Sequence, residues 1–441
     1  MHLVRTLSLS LGLTLALGAQ AATLSPLVTP DQLKLDQHAK QLNQANRFPA
    51  ARAQAKAAYV LAHGLPVSDE ALARLDQDID ELAFSAIQKA VNGDPLYPKV
   101  YWVNAPARQW FSVSVPGGRY SYDNPDNIYR TIPIQGASRY VVHGRRFGQG
   151  PADVTFSLIS DANSQNTVAV LTGQDLVVGA DGRFDITIDD QPANGRVNHI
   201  QSTSKAKQLF IRNNLGNWNT EVPDSLTVER LGDKPSRAPR GDVAIGAEAW
   251  VNLQASILAY GVGALGLKTH VNPVNTLPNP SSSSTLGTLV TQASSFGHYR
   301  LKDDEVLVAT LKTGGASYVV FPVTDAWLVS VDPIGHQTSL NNRQAVANAD
   351  GSYTFVLSLR DPGVANWIDP VGQNEGTIMV RWQNLPKASV DGGPQISAAV
   401  VKLIDLPQVL PSDTRQVTAA ERAQIIAARV AGYQRRIGFV D

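Results

Sequence analysis

A polar loop framed by two alternating strands occurs twice in this chain, and nothing else in the sequence limits the fold as strongly. Residues 181–214 read DGRFDITIDDQPANGRVNHIQSTSKAKQLFIRNN, and residues 350–383 read DGSYTFVLSLRDPGVANWIDPVGQNEGTIMVRWQ. Each copy opens on an Asp-Gly turn, alternates through a strand, crosses a polar loop and returns in a strand with a central arginine. The interval from Asp181 to Arg212 equals that from Asp350 to Arg381. Two β-hairpins can look alike by chance. The coincidence of turn, arginine and interval points instead to a duplicated β unit. Tyr318-Val319-Val320, repeating Tyr140-Val141-Val142, extends the proposed duplication upstream.

The rest of the chain is read around that repeat. Short alternating runs separated by Gly, Asn, Asp and Pro, such as Val154-Phe156-Leu158 and Val306-Val308-Thr310, predict sandwiches or jelly rolls and not βαβ units. Thr29-Pro30-Asp31-Gln32 is a helix start, and Pro49 forces a break in the helical stretch that runs to about His63. A second helix begins at the cap Ser68, with Leu72, Leu75, Ile79 and Leu82 on one face. Residues 244–267 form a helix joining the halves, interrupted by Glu248, Asn252 and Gln254, which makes it a poor membrane span. Thr418 and Glu421 form a capping box for a last helix. The expected organisation is a mainly β protein of two related β-sandwich or jelly-roll units. Its segments are a signal peptide (1–22), a helical arm (23–95), the first β unit (96–233), a linker and bridging helix (234–290), the second β unit (291–407) and a C-terminal helix (408–441).

Address and partners are read from composition. His2 and Arg5, the apolar run Leu7–Leu17 and the small residues Ala19-Gln20-Ala21 make a secretory signal, too short for a span of about 20 residues. The chain has no cysteine, so disulfides, thiolate metal sites and a lipid anchor on cysteine are all excluded. The expected location is the periplasm, with secretion the alternative. Lys plus Arg and Asp plus Glu balance at 38 each, with no basic cluster of the kind nucleic acid requires. A small molecule or glycan is the expected ligand, and the helical arm could meet an envelope partner or a second copy.

No G-x-S-x-G, H-E-x-x-H, P-loop or EF-hand pattern is present. Gly261–Gly266 matches G-x-G-x-x-G, but a helix precedes it where dinucleotide binding needs a strand, so no cofactor is expected. The histidines His143, His199, His270, His298 and His336 lie far apart, no pair sits at metal-ligand spacing, and no metal is expected. Asp123-Asn124-Pro125-Asp126-Asn127 offers oxygen donors for calcium, yet such residues more often bond their own turn.

The candidate site residues are Asp126, Tyr129, Arg145, Arg212, Asn214, Trp218, Trp367, Asp369, Arg381 and Trp382. Trp367 beside Asp369, opposite Arg381 and Trp382, could form a sugar-stacking or anion-holding surface, with His199, Arg212, Asn214 and Trp218 in the first copy. The plainer reading has each Trp filling a sandwich end and each Arg bonding a loop carbonyl or carboxylate. A binding or accessory role leads. The rival is a hydrolase or lyase acting on a glycan or envelope component, with Asp126 and Asp369 as acid and base and Arg145, Arg212 or Arg381 stabilising negative charge.

DNPDNIYR, LGNWNTEVPDSLTVERL and residues 350–383 are similar to segments of a widespread bacterial family known as domain of unknown function twelve-fourteen, often found beside a companion domain twelve-fifty-four. The resemblance runs from about Trp102 to Pro386. It implies a mainly β, jelly-roll-like fold with accompanying helices. It implies no activity, and no catalytic residue is carried over from it.

Overall fold

A computed structural model of the chain describes residues 23–64, 66–110, 113–282 and 292–440. Residues 1–22, where a signal peptide is expected, Phe111, Ser112 and the end of the serine loop lie outside the described residues. Helices α1 (Pro30–Ala45) and α3 (Asp69–Val91) begin where their caps predict, and α2 (Pro49–His63) follows the break expected at Pro49 without a side-chain cap. The Thr29 hydroxyl accepts from Gln32 N, and the Ser68 hydroxyl accepts from Ala71 N. Leu75, Ile79 and Leu82 are buried as the spacing requires, whereas Leu72 faces outward. These helices form no projecting arm. Ala51, Ala55 and Tyr59 of α2 share a core with Leu75 and Ile79 of α3 and with Trp327 and Met379 of the second β unit.

The bridging segment is α4 (Asp242–Ser256), which continues as a π-helix over Ile257–Thr269. At its end His270 N bonds Leu265 O and the Thr269 hydroxyl bonds Ala264 O, both five residues back. The glycines of the G-x-G-x-x-G match are packing residues here, since a Cβ on Gly261 would stand 2.8 Å from the Tyr59 ring. Among the described residues this is the one helix apolar enough to span a membrane by length and composition, and 44% of its most apolar window is buried in the protein.

The first β unit contains β1 (Tyr101–Val103), β2 (Asn127–Pro133), β3 (Arg139–Arg145), β4 (Asp153–Ile159), β5 (Thr167–Thr172), β6 (Arg183–Asp189), β7 (His199–Gln201), β8 (Gln208–Asn214) and β9 (Ser225–Leu231). The second contains β10 (Ser281–Ser282), β11 (Ala293–Arg300), β12 (Glu305–Lys312), β13 (Tyr318–Thr324), β14 (Ser339–Asn341), β15 (Tyr353–Leu357), β16 (Trp367–Ile368), β17 (Glu375–Gln383) and β18 (Gln395–Lys402). The five-stranded sheets run β1-β2-β8-β4-β5 and β10-β11-β17-β13-β14; the four-stranded sheets run β7-β6-β3-β9 and β16-β15-β12-β18. Every strand of one unit thus has its counterpart at the same place in the other. Even the unusual parallel pairs, β7 on β6 and β16 on β15, recur. The duplication is real. One proposed echo is not part of it: Tyr140-Val141-Val142 lies in β3, whose counterpart is β12, while Tyr318-Val319-Val320 lies in β13. Alternating Val and Tyr suit any half-buried strand, so that likeness is generic.

Each pair of sheets encloses its own apolar core, around Phe156, Ile186 and Leu209 in one unit and Phe321, Phe355 and Trp382 in the other. The outer strands β3 and β18 alternate buried and exposed residues, but β2, β4, β8, β13 and β17 are buried along their whole length. Such strands bury both faces. Their second face looks across the junction between the units, and that is where polar residues accumulate.

The C-terminal helix α5 (Ala419–Ile437) closes the junction from one side, its capping box formed as predicted by Thr418 and Glu421. Arg429 and Arg436 lie 4.1 and 4.4 Å from the Trp218 ring centroid.

Candidate functional site

The central strands β8 and β17 carry Arg212 and Arg381 at equivalent positions. Arg212 is opposite Tyr129 and Thr155, and Arg381 is opposite Ser294 and Val320. Both arginines are buried, and both line one cavity between the units. Tyr120, Tyr122, Asn124, Asn127 and Tyr129 come from the first unit and its preceding loop, Gln292, Phe296, Met379 and Gln383 from the second, and Ala264 and Lys268 from the π-helix. Its volume is about 40 Å³. A single water needs about 10–15 Å³ on that measure, so the space suits a few waters or one small ligand. Of the wall residues named, only Lys268 and Phe296 are half-exposed.

The uncharged part of the wall is largely bonded within itself. Gln165 donates to the Tyr120 hydroxyl at 3.1 Å, and Asn124 N donates to the Tyr129 hydroxyl at 3.1 Å. Gln383 donates to Gln292, which donates to the Ser294 hydroxyl at 2.7 Å. Asn214 stands one layer behind. It accepts from Asn127 at 2.6 Å and donates to Asp153 at 2.9 Å and to Gln383. Burial holds the phenols of Tyr120, Tyr122 and Tyr129 protonated by raising their pKa.

Among the described residues the charged part is cationic: Arg212, Lys268 and Arg381 line the cavity, and no described Asp or Glu does. The Arg212 guanidinium lies 4.3 Å from the Phe210 ring centroid, and Lys268 Nζ lies 5.4 Å from that of Phe296. Burial lowers the Arg212 pKa to about 10, with the Arg381 charge adding to the shift, and burial also lowers that of Lys268. The carboxyl that Asn214 reaches, Asp153, is itself pushed up to about 6 by burial. Behind Tyr120 the amine of Lys89 sits 4.4 Å from the ring centroid, its pKa lowered by burial to about 7.

Among the residues expected at the site, Tyr129, Arg212 and Arg381 converge on this cavity and Asn214 backs it. The others go elsewhere, and each for a physical reason. Trp367 is buried with Val306, Val356 and Leu406, and its Nε1 donates to Ser358 O at 2.9 Å. Trp382 is fully enclosed in the second core, donating to Lys312 O. Trp218 is buried beneath α5 and donates to Asp126 at 2.8 Å. None of the three is a surface platform; the plainer reading of the tryptophans holds. Asp369 pairs with His336 at 2.7 Å and caps Val371 N. Arg145 lies on the outer sheet in an open groove with His143 and Asp185.

Asp126 is a structural node. Beyond Trp218 it accepts from Tyr318 at 2.7 Å and Asn341 at 2.8 Å, both in the second unit. Its neighbours in the Asp123–Asn127 stretch are similarly engaged: Asn124 accepts from Asp126 N, and Asp123 accepts from Ser330 N. Asn124 thus bonds its own turn as expected, whereas Asp123 and Asp126 bond residues distant in the chain. Asp126 is enclosed by its donors and Asp369 pairs with His336, so the two carboxylates serve separate bonds.

Sequence reasoning missed Lys268, Tyr120, Tyr122 and Gln292. Lys268 lies just past the G-x-G-x-x-G match in an otherwise apolar helix, and that isolated charge was the available signal. It also left the histidines apart, whereas the fold packs His63, His270 and His298 together as tilted rings, with centroids 4.4 and 4.2 Å apart. Among the described residues no group of three His, Cys, Asp or Glu could hold a metal. Another large hollow, about 460 Å³ beside α5, is lined by Arg343 and Arg415, which pair with Glu221 and Glu421.

Fold and site together define a duplicated β-sandwich protein with a small cation-lined cavity at the junction of its repeats. No family model matches the sequence, and no curated protein matches it. A solved structure of an uncharacterised protein from Burkholderia cenocepacia is similar over 83% of this chain and 99% of its own, with TM-score 0.68 and 22% identity. It shares the fold. The VPA0106 protein from Vibrio parahaemolyticus aligns over 63% of this chain and 90% of its own, at TM-score 0.37 and 12% identity.

Proposed function

We propose that this is an exported ligand-binding or accessory protein of the bacterial envelope, related to the twelve-fourteen family, and that its ligand sits in the cavity between the two β units. One observation carries the reading: residues from both repeats and from the bridging helix converge on an internal polar space that none of the described side chains fills. Small-molecule sites favour such junctions between packed units. The signal-like composition of residues 1–22 supports the address, and the absence of a recognisable catalytic motif favours binding over turnover.

Thermal unfolding of the purified protein against a panel of small acids, sugars and polyols tests this. A ligand that binds only the folded state raises stability by about 2.7 kcal/mol at a hundredfold excess over its dissociation constant. The shift should vanish in Ala264→Leu, which fills the cavity wall, and persist in Arg145→Ala on the outer groove. A shift that Ala264→Leu leaves intact, or a panel without any shift, would count against the cavity.

A further inference from the structure

We propose that the outer face of the bridging helix is the contact surface of a homodimer, in which α4 and the π-helix of two copies of this chain pack antiparallel about a two-fold axis near Ala255. The proposal is independent of the cavity and of its ligand.

One side of this helix is spoken for: Ala249, Leu253, Ile257 and Tyr260 are buried against the protein. The other side carries Val243, Trp250, Val251, Leu258, Val262 and Leu267. Val243 is 91% exposed, Leu267 69% and Leu258 66%. Val243, the pair Trp250-Val251 and Leu258 recur at the two-turn spacing of an α-helix. Leu258, Val262 and Leu267 then recur every four or five residues, the step of a π-helix, whose hydrogen bonds reach five residues back. The change of wind thus keeps the apolar stripe on one side over roughly 35 Å. Helix α2 runs alongside, since a Cβ on Gly266 would stand 3.4 Å from that of Ala62, and it adds Leu61, 84% exposed. No other described element covers the stripe.

Area and charge identify what does. These side chains expose roughly 800 Å², about the share that each partner brings to a stable interface of standard size. The largest apolar patch of an ordinary monomer is about 300–600 Å². A helix that lies on a lipid surface brings Lys and Arg to the headgroups beside its apolar face. Here the flanking cations serve the protein itself. Arg52 and Lys56 of α2 pair with Asp80 and Asp76 of α3, Arg240 pairs with Glu248 of α4, and Lys268 lies 5.4 Å from the Phe296 ring centroid. The described rim is therefore balanced in charge, which suits a second copy of the same surface.

Symmetry places the contact. Two copies related by a two-fold axis use one patch twice, and a crossing at the midpoint of the stripe makes each helix oppose the other's dipole. That midpoint is Ala255. Val243 of one copy then meets Leu267 of the second, and the small side chains of Ala255 and Ala259 lie at the centre, where the helices come closest.

Sedimentation velocity of the purified protein over a concentration series should show a species of twice the chain mass. Leu258→Asp should weaken that association about a hundredfold or more, because the two-fold axis places the unpaired carboxylate in the apolar contact twice. Leu258 is exposed in the monomer, so the fold should survive, and circular dichroism establishes that it does. The chain has no cysteine, so a single introduced thiol reports its own neighbour. Mild oxidation should link Ala255→Cys into a covalent dimer, since only residues near the axis come within disulfide reach, and should leave Ala193→Cys, on an exposed loop, as monomer. A monomer at every concentration would overturn the proposal. So would a dimer that Leu258→Asp leaves intact, or equal cross-linking of both thiols. Monomeric protein that co-sediments with phosphatidylglycerol vesicles, and loses them in Leu258→Asp, would overturn it in favour of a lipid surface.

Discussion

Asp126→Asn should cost this protein about 3–5 kcal/mol and loosen its two halves from each other. The carboxylate is fully buried, with Oδ1 accepting from Trp218 and Oδ2 from Tyr318 and Asn341. An amide of the same shape has only one acceptor atom. If its oxygen faces Tyr318 and Asn341, its NH2 meets the Trp218 N–H, and an orphaned buried donor costs about 1–3 kcal/mol. The lost charge adds to this. Arg429 and Arg436 are buried, their pKa values are lowered by that burial, and the Asp126 carboxylate is a charge that opposes the shift in both. Breaking buried charge compensation from one side costs about 3–5 kcal/mol in total. That is a third or more of the stability of many domains. Trp218 belongs to the first unit, Tyr318 and Asn341 to the second, and both arginines to α5, so the damage falls on the joint. Scanning calorimetry should therefore show a lower first transition and a split between the units, with urea denaturation confirming the size. A single unshifted endotherm, or a loss below about 0.5 kcal/mol, the range of an ordinary surface change, would refute this account of the node.

Trp367→Ala should destabilise by about 3–5 kcal/mol, as for other buried aromatics, while leaving ligand affinity unchanged; a folded variant with a pure binding defect would restore it as a platform. Gly261→Ala should cost about 1–3 kcal/mol in denaturant midpoint, because its Cβ meets the Tyr59 ring at 2.8 Å; a neutral outcome would mean that α2 and the π-helix separate freely. The third concerns pH. Burial, then the charges of His298 and His63, lower the His270 pKa from 6.5 to about 3. Between those values the unfolded chain binds the proton and the folded one does not. Stability is thus intact above about pH 6.5 and declines towards pH 3, by up to about 4 kcal/mol at roughly 1.4 kcal/mol per pH unit. Urea midpoints from pH 7 to 4 should show that slope, and His270→Phe should flatten it; an equal slope in the variant would exonerate the histidine cluster.

The architecture was legible because its signals are local. Caps at Thr29, Ser68 and Thr418 depend on residues within one helical turn, and an Asp-Gly turn leading into alternation needs only its own few residues. The repeat interval marked Arg212 and Arg381 as equivalent before any contact was visible. What stayed hidden was the direction each strand faces across the sheet. In a two-layer sandwich a Trp beside an Asp can sit in the core or at the rim, and alternation alone does not say which face is shared with a second unit. Trp382 and Arg381 are adjacent in β17, yet one is sealed in the core and the other turned to the junction, because successive side chains point to opposite faces. Lys268 was hidden differently. Its role depends on the π-helical wind of residues 257–269, and no propensity scale distinguishes that from the α-helix before it.

Duplication explains why the cavity is charged in the way it is. When two copies of one unit bring the same sheet face to a common junction, each feature of that face appears there twice. A carboxylate on one copy and an arginine on the other would pair and close the gap. Arginines retained on both cannot pair with each other, and the backbone carbonyls of Tyr122 and Met379 take part of the donor capacity of Arg381. At Arg212 burial is the leading cause of the lowered pKa, and the Arg381 charge adds to it. The joint is instead secured off to one side, where the Asp126 carboxylate gathers donors from both units.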